Sequence, residues 1–381
     1  MELICQELLC ELASPRTGPL ISLYLPFPAR GIPRLWLQWR NLVRKVEKEL
    51  ESRGIHGEEK EKLLGPAREL IGKKDPRQPG TLGVAAFLAP QFFRAVGLPE
   101  APAATCSVGE HFHLYPLVYL MRLHQGFHIL ALRANGARLI RVEGGMATLV
   151  EMPGLPVNMR EALQFHDRDD YLGLHTTAAG AVAGHGAQFH GHGVGVDDEK
   201  SDTVLYFRMV NRVVRQTLGN EAGPLVLATV KANLPLYREV NTYPGLLEAC
   251  VPGNPDRLKN GKLVQAAFAL VEPLFRAENA QPVKRVLGGL GQGLVEEEPV
   301  HLQGQSRDGG VEILVLPEEE AGQTPCGADP HTEGCALINQ LISQTMAHRG
   351  SVAFASGQQF AGHRLPCALL RHGRRAVHPV V

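Results

Sequence analysis

Short apolar runs alternate with helical patterns along most of this 381-residue chain, and that alternation restricts it to layers of helix packed on sheet. Pro19 to Phe27 reads as a strand. Pro33 then opens a helix through Trp36, Trp39, Leu42, Val43, Val46 and Leu50, and its fixed φ suits the first turn. A charge-rich helix follows from about Gly57 to Ile71, the string KKDPRQPG breaks the pattern, and Leu82 to Leu88 is the next strand. Pro and Ala dominate Ala101 to Ala104, and a new series of strands is expected after His113, which puts a boundary near residue 124.

In the middle of the chain FHILALR, ANG and ARLIRVEGG form a hairpin pattern, since Asn135-Gly136 supplies the positive-φ residues of a tight turn. Met146 to Met152 extends it as a third strand. No period is visible from Gly154 to Asp198, a stretch long enough to suggest function. Helix returns at Lys200 to Leu218, LVLATV (Leu225 to Val230) is a buried strand, KANLPLYREV begins another helix, and Pro255 to Phe275 reads as a long one. From Pro282 the pattern restarts with a helix, the strand VEILVLP, a helix from about Thr332 to His348, the strand Ser351 to Ala355 and a final strand CALLR. Three domains are expected: an α+β domain over 1–124, an α/β domain over 125–281 and a compact α/β/α domain over 282–381.

Lys plus Arg and Asp plus Glu both number 39, and the three segments carry +3, −1 and −2, so a globally basic nucleic-acid or membrane binder is excluded. Only a local basic face could serve. The start of the chain lacks the basic region of a signal peptide, and the longest uncharged run, Tyr171 to Val196, is too rich in Gly and His to span a membrane. Seven scattered cysteines fit reduced thiols, so a cytoplasmic setting is expected.

The chemistry-bearing stretch begins at Ala178. Gly180, Gly184, Gly186, Gly191, Gly193 and Gly195 free the backbone for close approach to a partner, and His185, His190 and His192 add ring donors. Asp197, Asp198 and Glu199 precede the next helix, where the positive end of its dipole favours them. In that helix Arg208, Arg212 and Arg215 share one face, while Val204, Phe207, Val210, Val214 and Leu218 form another. A solvated surface is the plain reading of three such arginines. The glycine-rich stretch before them raises phosphate binding as the alternative.

His185, His190 and His192 could also hold zinc, but glycine spacers do not preorganise ligands and no carboxylate is assigned to orient the rings, so no metal is expected. Cys326, His331, Cys335, His363 and Cys367 lack a standard zinc spacing and read as loop and core residues. There is no G-x-x-x-x-G-K-[ST] and no G-x-S-x-G, and LGGLGQG follows no strand, so it reads as a turn or helix end. No cofactor is implied.

The order of features resembles the archaeo-eukaryotic class 1 release factor and Pelota superfamily, most closely its bacterial branch, the bacterial archaeo-eukaryotic release factor family. The resemblance rests on FHILALRANGARLIRV, HGHGVGVDDEKSD, LYFRMVNRVVRQTLG, PLVLATVKANLPLYREVNTYPGLLEACVPGNPD, RVLGGLGQG, VEILVLPE and ALINQLISQTMAHRGSVAF, and spans roughly residues 20 to 372. It implies α/β and α+β architecture with an RNase H-like middle domain and a Pelota-type α/β/α C-terminal domain. In release factors a Gly-Gly-Gln tip helps to place the water that attacks peptidyl-tRNA. Here Gly184-His185-Gly186-Ala187-Gln188 stands at the corresponding place, with Ala187 where the motif has its second glycine.

The resemblance therefore implies a factor that binds the ribosomal A site in rescue, stress or hibernation without catalysis. Gly184, His185, Gly186, His190, His192, Arg208, Arg212 and Arg215 would meet ribosomal RNA, and tRNA and a translational GTPase are further partners to test. No membrane and no DNA are involved. The runner-up is a peptidyl-tRNA ester hydrolase in which Gln188 positions water.

Overall fold

Period-two alternation between two buried faces explains the first sheet. In a computed structural model, residues 2, 4–28, 32–70, 81–133, 136–156, 158–159, 161, 196–219, 223–258, 260–318, 332–356, 358–360 and 363–372 are described. The chain forms two compact units: residues 1–125, 143–146 and 272–381 make the first, and residues 126–142 and 147–271 the second.

In the first unit β1 (Leu20–Pro26), β2 (Gly83–Ala89), β3 (Phe92–Leu98) and β4 (Thr105–Gly109) form an antiparallel sheet in the order β3-β2-β1-β4. Ile21, Leu23, Leu25, Val84, Ala86 and Leu88 face one side and pack on α2 (Ile32–Ser52) and α3 (Gly57–Leu70). Trp39 anchors that layer, its Nε1 donating to the Ala67 carbonyl at 2.7 Å. Tyr24, Ala85, Phe87 and Ala89 face the other side, against α1 (Gln6–Ala13) and α4 (Tyr115–Leu123). Both faces are covered, so β1 and β2 are apolar on both sides, apart from Ser22, rather than alternating apolar and polar.

A helix over 115–123 corrects the expectation that strands follow His113. YPLVYLMRL has strand-like composition, but Pro116 suits the first helical turn, and Leu117, Val118 and Leu120 enter the core from a helical face. Tertiary packing overrides local propensity here.

The last segment adds α7 (Asn260–Gly289), α8 (Pro299–Arg307) and α9 (Glu333–Ala347) to a sheet ordered β10-β13-β11-β12. Its strands are β10 (Val295–Glu296), β11 (Val311–Pro317), β12 (Ser351–Ala355) and β13 (Cys367–Leu370), with β11 and β12 parallel. Val283 and Val286 of α7 cover one face of this sheet. The other face, with Ile338, Leu341 and Ile342 of α9, joins the α1 and α4 layer in one continuous hydrophobic core. First and last segments therefore share a core, although well over 100 residues separate them. The helices expected on either side of Pro282 are one helix, because Leu263, Ala267, Val271, Phe275, Val283 and Val286 keep a helical burial pattern past Pro273 and Pro282. It ends at LGGLGQG, where Gly291 and Gly293 take φ of 77° and 70°.

The second unit holds the middle sheet, ordered β7-β6-β5-β8-β9, from β5 (Phe127–Arg133), β6 (Gly136–Glu143), β7 (Met146–Val150), β8 (Leu225–Thr229) and β9 (Leu246–Pro252). β5 and β6 are antiparallel, while β8 and β9 run parallel to β5. In chain order this is 3-2-1-4-5, the RNase H-like arrangement that the resemblance implies. Helices α5 (Val196–Leu218) and α6 (Asn233–Val240) belong to this unit. No described helix is long and apolar enough to cross a membrane.

One glycine here has no room for a side chain. A Cβ on Gly245 would lie 2.3 Å from the Gly223 carbonyl and 2.7 Å from the Tyr243 ring. Neither can retreat, since the Tyr243 hydroxyl donates to Gly223 O at 2.7 Å and Leu225 N donates to Gly245 O at 2.7 Å. Gly245→Ala should cost about 1–3 kcal/mol by this overpacking. A denaturant midpoint equal to that of the wild type, followed by a probe in the second unit, would show that the turn yields.

Candidate functional site

The helix α5 has 23 residues and is about 35 Å long. Its roll is set by what it buries. Tyr206, Phe207, Val210, Val214 and Leu218 enter the core formed by Leu130, Leu132 and Leu139 of the sheet, with Tyr237 of α6 and Tyr243. Asn211, also buried, fixes the roll further: its Nδ2 donates to Thr242 Oγ1 at 2.9 Å, and its Oδ1 accepts from Thr242 N at 3.1 Å.

With that face held, Arg208, Arg212 and Arg215 all stand exposed. None forms an ion pair among the described residues, and none is drawn into the core. The three span about 10 Å along the axis, enough to meet successive phosphates of one strand. Arg215 lies in the last turn, where the helix dipole also favours a cation. Asp197, Asp198 and Glu199 fall inside the first turn of α5 rather than ahead of it.

The string NTYPG holds the neighbouring turn. The Asn241 side chain brackets Tyr243, with Nδ2 donating to Tyr243 O at 2.9 Å and Oδ1 accepting from Tyr243 N at 3.2 Å. Sequence reasoning quoted this string only as a family signature. Its physical role is to fix the Thr242 backbone that Asn211 grips, and a polar Asn on the apolar face of α5 was the available clue.

A second charged group went unnoticed in the sequence. At the carboxyl ends of the parallel strands, Asp256 accepts from Arg133 at 2.6 Å and from Arg138 at 3.0 Å. Asp256 lies in the single 3-10 turn Pro255–Arg257 that follows β9. The Tyr206 hydroxyl is buried without a hydrogen-bond partner among the described residues, and burial pushes its pKa up to about 12 while Arg133 pulls the other way. Contacts between residues more than 100 positions apart have no local sequence signature.

Gly184, His185, Gly186, Gln188, His190 and His192 lie outside the described residues, so the arginine stripe is the part of the expected surface that is placed. Among the described residues no group of three or more His, Cys, Asp or Glu side chains could hold a metal ion. Cys335, His363 and Cys367 are not brought together: Cys335 contacts His113, His363 pairs with Glu297, and Cys367 is buried in β13 opposite Val315 of β11, while Cys326 and His331 lie outside the described residues. Burial pushes the Cys367 thiol up to about 12. Cys335 is disulfide-bonded, which corrects the expectation of uniformly reduced thiols.

Residues 127–273, which include β5, α5 and the NTYPG turn, match the bacterial archaeo-eukaryotic release factor family 7. No curated protein matches the chain. Among solved structures, the archaeal translation termination factor aRF1 is 13% identical over 96% of both chains, with a TM-score of 0.25. Archaeal Pelota, in a ribosome-bound assembly with ABCE1, is 9% identical over 98% of this chain and 96% of that one, with a TM-score of 0.39. Pelota from Archaeoglobus fulgidus is 11% identical over 77% and 80%, with a TM-score of 0.33. At such scores the weight rests on the family match. That match makes residues 127–273 similar to the bacterial archaeo-eukaryotic release factor family, as the sequence resemblance implies.

Proposed function

We propose that this protein is a cytoplasmic translation factor that docks on the ribosomal A site through its middle unit and acts by occupancy, in rescue, stress or hibernation. The observation that carries the reading is the stripe of Arg208, Arg212 and Arg215, exposed and unpaired among the described residues, on a helix whose roll is locked by Asn211. Three cations on one face, unpaired among the described residues, form a phosphate-binding surface that needs no rearrangement. With zero net charge overall, attraction to RNA has to be local, and this face supplies it. Ribosomal RNA is the principal partner; tRNA and a translational GTPase would join it there.

Binding without hydrolysis is the expected behaviour. Ala187 stands before Gln188 where the release-factor motif has glycine, and a Cβ there disfavours positive φ by roughly 1–2 kcal/mol. Purified protein added to ribosomes that carry labelled peptidyl-tRNA should release no peptide above background, and Gln188→Ala should leave that level unchanged. Turnover that Gln188→Ala abolishes would make the protein a peptidyl-tRNA hydrolase instead.

A further inference from the structure

A cavity of about 200 Å³ lies in the first unit, between the end of α4, the second half of α7 and the sheet of the last segment. Two arginines line it. Arg276 is paired, with Glu272 at 2.9 Å and Glu318 at 3.2 Å. Arg122 is not: no described residue accepts from its guanidinium, and its Nε is sealed from solvent without a partner.

Arg122 is half-buried, and a guanidinium nitrogen sealed from water without an acceptor is costly. Burial lowers the Arg122 pKa, and Glu318, which also lines the cavity, pairs with Arg276 instead. Arg122 lies in the last turn of α4, where the helix dipole favours a cation. That effect supplies no acceptor for Nε and is worth only about 1 kcal/mol. The surroundings are also built rather than loose. Asn279 Nδ2 donates to the Arg122 carbonyl at 2.8 Å and ties α4 to α7, while the rings of Tyr119 and Phe354 meet edge to face at 5.1 Å to form an apolar wall.

We propose that this cavity is an oxyanion site, in which Arg122 takes a phosphate or carboxylate group with the paired Arg276 beside it. The size sets the ligand class. Pockets for larger organic ligands occupy about 300–1,000 Å³, so this cavity admits a small anion or the charged end of a longer molecule. A planar guanidinium offers two parallel donors to either group, which an ammonium could not.

The test uses the whole chain in millimolar sodium phosphate, sodium acetate or sodium chloride at matched ionic strength. Phosphate should raise the melting temperature above the chloride control by about 2–4 °C, and Arg122→Gln should abolish the rise while leaving the fold intact. A rise with acetate in place of phosphate assigns the site to carboxylates. In the wild type, phosphate or acetate should also slow modification of Arg122 by an arginine-specific dicarbonyl several-fold, as read by peptide mass; this arm does not depend on a variant folding. Equal melting temperatures in all three salts, a response that persists in Arg122→Gln, or unprotected modification would each overturn the proposal.

Discussion

Replacing Arg208, Arg212 and Arg215 together by Glu should weaken ribosome binding on the order of 100-fold near 0.15 M salt, since each phosphate contact scales affinity with roughly the inverse 0.7–0.9 power of salt. The slope of log affinity against log salt should flatten by about 2–3 for the same reason. Folding should survive. The three side chains are exposed and unpaired among the described residues, and such positions usually change stability by no more than about 0.5 kcal/mol each. Arg215 is the exception to watch: reversing a cation in the last turn of α5 costs about 0.3–1 kcal/mol through the helix dipole. Arg215→Gln separates that effect from RNA contact. Affinity and slope unchanged in the triple variant would reduce the stripe to a solvated helix face.

Asn339→Ala should destabilise the first unit by about 2–5 kcal/mol, among the larger effects of any single substitution. The Asn339 Oδ1 accepts from the amides of Leu114 at 2.9 Å and Tyr115 at 3.3 Å, at the start of a helix with no side-chain cap of its own. Its Nδ2 donates to Cys335 O at 2.9 Å and to His113 Nδ1 at 3.0 Å, which makes Nδ1 the acceptor and puts the His113 proton on Nε2. His113 is held in turn, its amide donating to Ser22 Oγ at 2.9 Å and its carbonyl accepting from Tyr24 at 2.6 Å. One amide on α9 thus satisfies buried groups from a segment more than 200 residues away. Alanine leaves two buried N–H groups without acceptors, at about 1–3 kcal/mol each. Urea unfolding measures the loss, and a cost below about 1 kcal/mol would mean that water replaces the side chain.

What the sequence made legible follows from where each signal resides. Elements with a strong local pattern stood out: the β5–β6 hairpin, β11 from VEILVLP, the helix α9 from about Thr332, and α5 with its arginines at i, i+4 and i+7. Their periodicity is written in adjacent residues. Gly136, however, does not take the positive φ expected of it but pairs with Arg133 as the first residue of β6. β3, β4, β9 and α4 were missed because their short segments owe their form to sheet neighbours and shared cores, not to propensity. The shared core of first and last segments had no local sign at all, and nothing local distinguishes Asn339 from the other polar residues of α9. In the candidate surface the stripe was legible as a pattern. Asn211 and Thr242, 31 residues apart, are what turn the pattern into a fixed face.

Co-sedimentation of the purified chain with ribosomes, across a series of salt concentrations, tests the central claim most directly. The account predicts saturable binding that weakens steeply and linearly in log salt, with a slope that the triple arginine variant reduces by about 2–3. A chain that stays at the top of the gradient at low salt, or binds with no salt dependence, would contradict it.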